Sequence, residues 1–265
     1  MDTLFLLRSY GDFVVALSGY QHEAPERKVA MVASVHLQPL YDAIVASGVM
    51  QYLPDIQFVD IGIQHGIFSC FTNRYFFSAD AINEVRALRR VIRSISPDAT
   101  LWLEQNERVA LISGVTGKRF SCIHDGHKNI YAAYRQFLDV STTIPSIEPS
   151  EITSNHQVLI FPGSRKKSKQ LPVDWVNHVI DSYFKRGVRV TVAGLATEIT
   201  HYSGNKKVVK GFKDLCEMIA SADQVISADS LPAHLAFLFR KPLEVHYKVR
   251  INEPWLPPGA KAIIL

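Results

Sequence analysis

Gln157-Val158-Leu159-Ile160-Phe161 is a short apolar run closed by Pro162-Gly163 and followed by Ser164-Arg165-Lys166-Lys167-Ser168-Lys169-Gln170-Leu171-Pro172. Five apolar-rich residues ending in Pro-Gly read as a buried strand. Beyond it, Trp175, Val176, Val179, Ile180, Tyr183 and Phe184 fall at helical spacing, and Gly187 supplies a stop. Val188 to Ala193 alternates and is β-branched, a strand ending at Gly194. Phe212, Leu215, Ile219 and Ala222 mark an amphipathic helix. Val225-Ile226-Ser227 is a strand, a helix follows from about Ser230 to Phe239, and Leu243 to Tyr247 is one more strand. Strands alternating with helices at this interval specify a parallel sheet covered on both faces, with right-handed crossovers.

The N-terminal half repeats the theme more loosely. Thr3 to Leu7 is a strand, and Arg8-Ser9-Tyr10-Gly11-Asp12 turns the chain into a helix over Phe13 to Leu17. Val29 to Ala33, Phe58 to Ile61 and Leu101-Trp102-Leu103 are further strands, and helices are predicted over Ala81 to Ser94 and Ile130 to Leu138. Ser141 to His156, rich in Ser, Thr and Pro, is a linker by composition. The expectation is α/β: two Rossmann-like lobes, residues 1–145 and 146–265, with ligands held in a cleft at the carboxyl ends of both sheets.

Three segments bring chemistry to strand ends. The loop Gly163 to Pro172 has a glycine that lets backbone N–H groups approach a phosphate, the Ser164 hydroxyl, and four cations within five residues. Such donors suit a diphosphate leaving group; a solvated basic loop is the alternative. Asp229-Ser230-Leu231-Pro232 can cap a helix whose N-terminus would bind phosphate, with His234 one turn in; a capped helix with a core histidine is the alternative. Asp12 stands at a strand-to-helix turn, where it could accept a proton from an acceptor hydroxyl or act only as an N-cap.

In this order and separation the segments resemble the lipopolysaccharide heptosyltransferase family, glycosyltransferase family nine, of the GT-B fold. The resemblance covers about residues 157–247 and, in the first lobe, the Gly11-Asp12 turn. It rests on the Pro162-Gly163-Ser164 loop, on Lys169-Gln170-Leu171-Pro172, on Gly194 with Glu198, and on Gly211 through Ala222-Asp223, Ser227-Ala228-Asp229-Ser230 and His234-Leu235-Ala236. It implies inverting, metal-independent transfer of a heptose-like sugar from a nucleotide sugar such as ADP-heptose, in lipopolysaccharide biosynthesis, with no cofactor. By the same resemblance Asp12 is the catalytic base and Ser164, Arg165 and Lys169 hold the phosphates. Glu198 contacts the ribose, and Asp229, Ser230 and His234 shape the donor pocket.

The acceptor is then a lipopolysaccharide-type or lipid-linked glycan, met by peripheral contact with the inner face of the cytoplasmic membrane. Leu231 stands where the family has Gly, Leu171 replaces the usual Trp, and no family-type C-terminal helices are expected after Trp255-Leu256-Pro257-Pro258. A degenerate GT-B protein that binds without turnover, or a nucleotide-sugar epimerase, are the alternatives.

Composition agrees with a globular chain. Of 265 residues 47% are hydrophobic and 20% charged, which excludes global disorder. A net charge of +4 is too mild to imply nucleic acid. Cys70, Cys122 and Cys216 show no metal-ligand spacing and read as reduced thiols of a cytoplasmic protein. Neither a secretory signal nor an apolar stretch near the ~18 residues that span a bilayer is present.

Overall fold

A computed structural model describes residues 2–7, 9–21, 23–60, 79–105, 112–124, 129–140, 153 and 156–265. Arg8, Ile61, Cys70 and most of the expected linker lie outside the described residues. The chain divides into two compact units, one of Met1–Asp42 and Met50–Ser141, the other of Ala43–Val49 and Thr142–Leu265.

The first unit carries a five-stranded sheet of β1 (Asp2–Leu6), β2 (Val29–Ser34), β3 (Ile56–Val59), β4 (Thr100–Gln105) and β5 (Phe120–His124), in the order β3-β2-β1-β4-β5. Every pairing is parallel. Helix α1 (Tyr10–Ser18) follows β1; Asp12 to Leu17 are buried, while Tyr10, Gly11 and Ser18 are half-buried. Helices α2 (Gln38–Ala46), α3 (Ala79–Ser94) and α4 (Ile130–Leu138) follow, and residues 112–116 are also helical. Leu88, Val91 and Ile92 of α3 pack on Phe5, Leu7 and Leu103 of the sheet.

The second unit has six parallel strands, β6 (Gln157–Phe161), β7 (Arg189–Gly194), β8 (Asn205–Val208), β9 (Gln224–Ala228), β10 (Leu243–Tyr247) and β11 (Lys261–Ile264). Their order is β11-β10-β9-β6-β7-β8, all in parallel pairs. Read from the far edge this is 3-2-1-4-5-6, the Rossmann order, with its reversal point between β6 and β9. The two central strands read as almost continuous apolar runs because both of their faces are covered.

Four helices follow these strands: α5 (Val173–Lys185), α6 (Ala196–Ile199), α7 (Phe212–Ser221) and α8 (Leu231–Leu238). Val176 and Ile180 of α5 join Val158, Ile160 and Val192 in one core cluster. The expected stop after α5 is present: Gly187 adopts φ +71°, a left-handed turn that glycine adopts without the steric cost of a Cβ.

The alternating α/β reading is therefore found in both units. The predicted strand over Phe58 to Ile61 instead runs Ile56–Val59, paired with β2. Strands β5, β8 and β11 and helices α2 and α6 had no expectation attached to them. Edge strand β8 is exposed and β11 half-exposed, and they carry Lys206, Lys207 and Lys261, cations that discourage edge-to-edge pairing and also erase the apolar signature of a strand.

Ile160 is fully buried in the second-unit core. Ile160→Ala is expected to lower the stability of that unit by about 2–5 kcal/mol; equilibrium urea denaturation followed by far-ultraviolet circular dichroism measures it.

Candidate functional site

Strand order decides which loops meet. Because β6 and β9 are neighbours and their connections leave in opposite directions, the loops after them converge at the carboxyl end of the sheet. The loop after β6 runs from Pro162 to Pro172 and includes one 3-10 turn, Lys167–Lys169. That after β9 is Asp229-Ser230, leading directly into α8.

Lys169 and Asp229 join these two loops. Lys169 Nζ donates to Asp229 Oδ2 at 2.5 Å, and Asn252 Nδ2 lies 3.4 Å from the same oxygen. Asp229 is buried, whereas about a third of the Lys169 side chain remains exposed. The ammonium thus neutralises a buried carboxylate and keeps donors free on its solvent side. Arg165, in the same loop, is exposed. Ser164 is buried, and its carbonyl accepts from Gln170 Nε2 at 2.9 Å, which ties the loop back on itself.

Glu198 reaches the same strand ends from α6. Its Oε2 accepts from Leu195 N at 3.1 Å, the reciprocal arm of a helix cap. The carboxylate lies so close to the Gly163 backbone that a Cβ there would fall 2.5 Å from Oε2, and one at Gly194 would fall 3.1 Å from it. The missing Cβ at Gly163 leaves the space that the Glu198 carboxylate occupies.

Ser230 is the residue preceding α8, but its hydroxyl donates to the Ala228 carbonyl at 3.3 Å rather than capping the helix. Pro232 occupies the first turn as expected. His234 is buried one turn into the helix. Burial, reinforced by the Lys169 charge and opposed by Asp229, lowers its imidazole to about 4, so it is neutral near pH 7. The Tyr247 phenol, at the end of β10, is pushed upward by burial and by the Asp229 charge. Asn252 and Tyr247 belong to this cluster and were not singled out from sequence. The available signal was topological, since a strand paired beside β9 delivers its following loop to Asp229.

In the first unit Asp12 is not the N-cap. Ser9 holds that position and Asp12 is the third residue of α1, buried at 7% exposure. A carboxylate in the first turn is favoured by the helix dipole. At the same end of the sheet, Ser34 Oγ and His36 Nδ1 are 2.7 Å apart, and the His36 ring meets the Tyr10 ring edge-on at 5.4 Å between centroids. Glu104 is buried at the end of β4, beside β1; sequence reading passed over it, as over His36. Cys216 is buried and its thiol is pushed up to about 12 by burial and by Glu217. Among the described residues no group of three or more His, Cys, Asp or Glu could hold a metal ion, and no helix is long and apolar enough to cross a membrane.

Two Rossmann-type units in one chain, the second with a basic loop and a helix N-terminus converging at its reversal point, define the protein as α/β with two parallel sheets. Solved structures narrow the fold further. The Veillonella parvula family-nine glycosyl transferase matches 99% of this chain and 84% of its own, with TM-score 0.67 and 16% identity. E. coli heptosyltransferase WaaC bound to ADP-2-deoxy-2-fluoro heptose matches 99% and 92%, with TM-score 0.64 and 14% identity. The E. coli ADP-heptose lipopolysaccharide heptosyltransferase II matches 99% and 90%, with TM-score 0.62 and 15% identity. No family model and no curated protein matches the sequence. The fold is that of the family-nine glycosyltransferases.

The low His234 value has a consequence for stability. An unfolded histidine takes up its proton near pH 6.5, while the folded one resists down to about pH 4. The contribution of His234 to stability is therefore fully present above pH 6.5 and is lost as pH drops through that window. Urea titrations across this range should show the slope, and His234→Gln should lack that component.

Proposed function

We propose that this chain is a glycosyltransferase that takes a sugar, heptose-like in kind, from a nucleotide donor such as ADP-heptose. The observation that carries the reading is the Lys169–Asp229 pair at the reversal point of the second unit, flanked by Ser164, Arg165 and Glu198. Two structures of one neighbour add support, since WaaC is described with ADP and with ADP-2-deoxy-2-fluoro heptose.

In this reading the acceptor hydroxyl attacks the anomeric carbon as the bond to the diphosphate oxygen breaks, inverting that centre. Asp12 receives the hydroxyl proton. Negative charge grows on the departing diphosphate, and Lys169, Arg165 and the Ser164 hydroxyl stabilise it. Those side-chain cations fill the role that a divalent ion fills elsewhere, so transfer is metal-independent. Glu198 accepts from the ribose hydroxyls. Asp229, Ser230 and neutral His234 bind the sugar and the proximal phosphate, His234 offering one N–H and one acceptor. The acceptor is a lipopolysaccharide-type or lipid-linked glycan at the inner face of the cytoplasmic membrane.

Leu231 favours a second reading, binding without turnover, because it places a branched side chain at the head of α8, where the resemblance has glycine. Nucleotide release with and without acceptor separates the two.

Lys169→Ala is expected to weaken nucleotide-sugar binding by at least about 1.5 kcal/mol, the worth of a charge-assisted bond. Titration calorimetry with ADP-heptose reads this, and unchanged affinity removes Lys169 from the site. Because the substitution also leaves Asp229 without its cation, the double variant Lys169→Ala/Asp229→Asn serves as the control for folding. Asp12→Asn preserves size and should lower turnover at least about a hundredfold while donor affinity stays level. Steady-state kinetics beside a melting curve checks it, and retained turnover sinks the base assignment.

A further inference from the structure

Helix α3 is divided into two faces of opposite character. Ile82, Arg86, Arg89, Arg90 and Arg93 fall within an arc of roughly 100° at 3.6 residues per turn. All five are exposed, Ile82 to 43%. The opposite arc holds Leu88, Val91 and Ile92, buried in the first-unit core. The helix cannot turn without lifting that apolar arc off the sheet, so the arginine face is held outward. Arg89 Nε donates to the Val115 carbonyl at 3.0 Å, which brings the turn carrying exposed Lys118 and Arg119 alongside the same face.

Among the described residues none of the six cations has a carboxylate within ion-pair distance, and Glu84 of the same helix is buried on the inward side. A helix face that serves only solvation usually interleaves acids with bases three or four residues apart. Four arginines on one arc repel one another instead, a repulsion that an anionic partner relieves.

We infer that this face of α3, extended by Lys118 and Arg119, docks the protein on an anionic phospholipid bilayer. Arginine heads reach lipid phosphates while their apolar stems and Ile82 rest at the headgroup level. The apolar arc is already spent on the core, so the helix lies on the surface without inserting. No aromatic side chain stands on the arc to stack on bases, which disfavours single-stranded nucleic acid. The inference deepens the membrane-linked acceptor of the proposed function, yet its test reads binding alone and so fails or holds apart from sugar transfer.

The test is co-sedimentation with vesicles of phosphatidylcholine alone and with about 30% phosphatidylglycerol added. The intact protein should bind the anionic vesicles, ignore the neutral ones, and dissociate as salt is raised. Arg86→Glu/Arg90→Glu/Arg93→Glu should reduce partitioning at least about a hundredfold with an unchanged melting temperature; Arg89 is kept because it ties α3 to Val115. Lys118→Glu/Arg119→Glu, which leaves the helix alone, should give a smaller loss and stands in if the triple variant does not fold. Equal binding of neutral and anionic vesicles by the intact protein, undiminished binding by the folded variants, or tighter binding to an RNA duplex than to anionic vesicles at the same salt overturns the inference.

Discussion

In a parallel sheet each connection must carry the chain from the carboxyl end of one strand back to the amino end of the next, and twist makes that crossover right-handed. When successive strands are added first on one side and then on the other, two neighbouring strands send their connections opposite ways. Their loops are left facing each other with no helix between them. The second unit places β6 and β9 at that point. Everything distinctive about its polar chemistry follows, because Ser164 and Lys169 leave from one of these strands and Asp229 and Ser230 from the other.

The groups gathered there are mutually dependent. Buried Asp229 would be costly alone, and the Lys169 ammonium offsets that cost at 2.5 Å. The same ammonium disfavours a second cation, so burial and Lys169 together keep His234 neutral near pH 7. One carboxylate and one ammonium cancel, which leaves exposed Arg165 as an uncompensated positive charge of the same loop. Glu198 enters by a different device: glycine at both Gly163 and Gly194 leaves the volume its carboxylate occupies. Both glycines make room through the Cβ they lack.

The first unit uses the same architecture with different cargo. Its β1 turn presents Asp12 inside the first turn of α1, and the adjacent β2 brings Ser34 and His36 to the same sheet end. Its third helix meanwhile uses one face for the core and the other for charge. Packing therefore fixes which side of that helix faces water.

Much of this was determined by sequence alone. The run Gln157–Phe161 and the helical spacing after it specify α/β units with parallel sheets, because a strand buried on both faces must be apolar throughout and a helix packed on a sheet must be apolar on one side. The stop at Gly187 was legible for an equally local reason, a backbone angle that glycine adopts freely. The edge strands Asn205–Val208 and Lys261–Ile264 were not legible: an edge faces solvent, and its lysines mask the β signal. Nor could sequence spacing say that Ser9 rather than Asp12 would precede α1, or that the Ser230 hydroxyl would turn back to Ala228.

Only the tertiary structure joined Lys169 to Asp229, 60 residues away, and brought Asn252 and Tyr247 beside them. Periodicity reports which face of an element is buried. Which loops meet is set by strand order, and strand order is a property of the whole sheet.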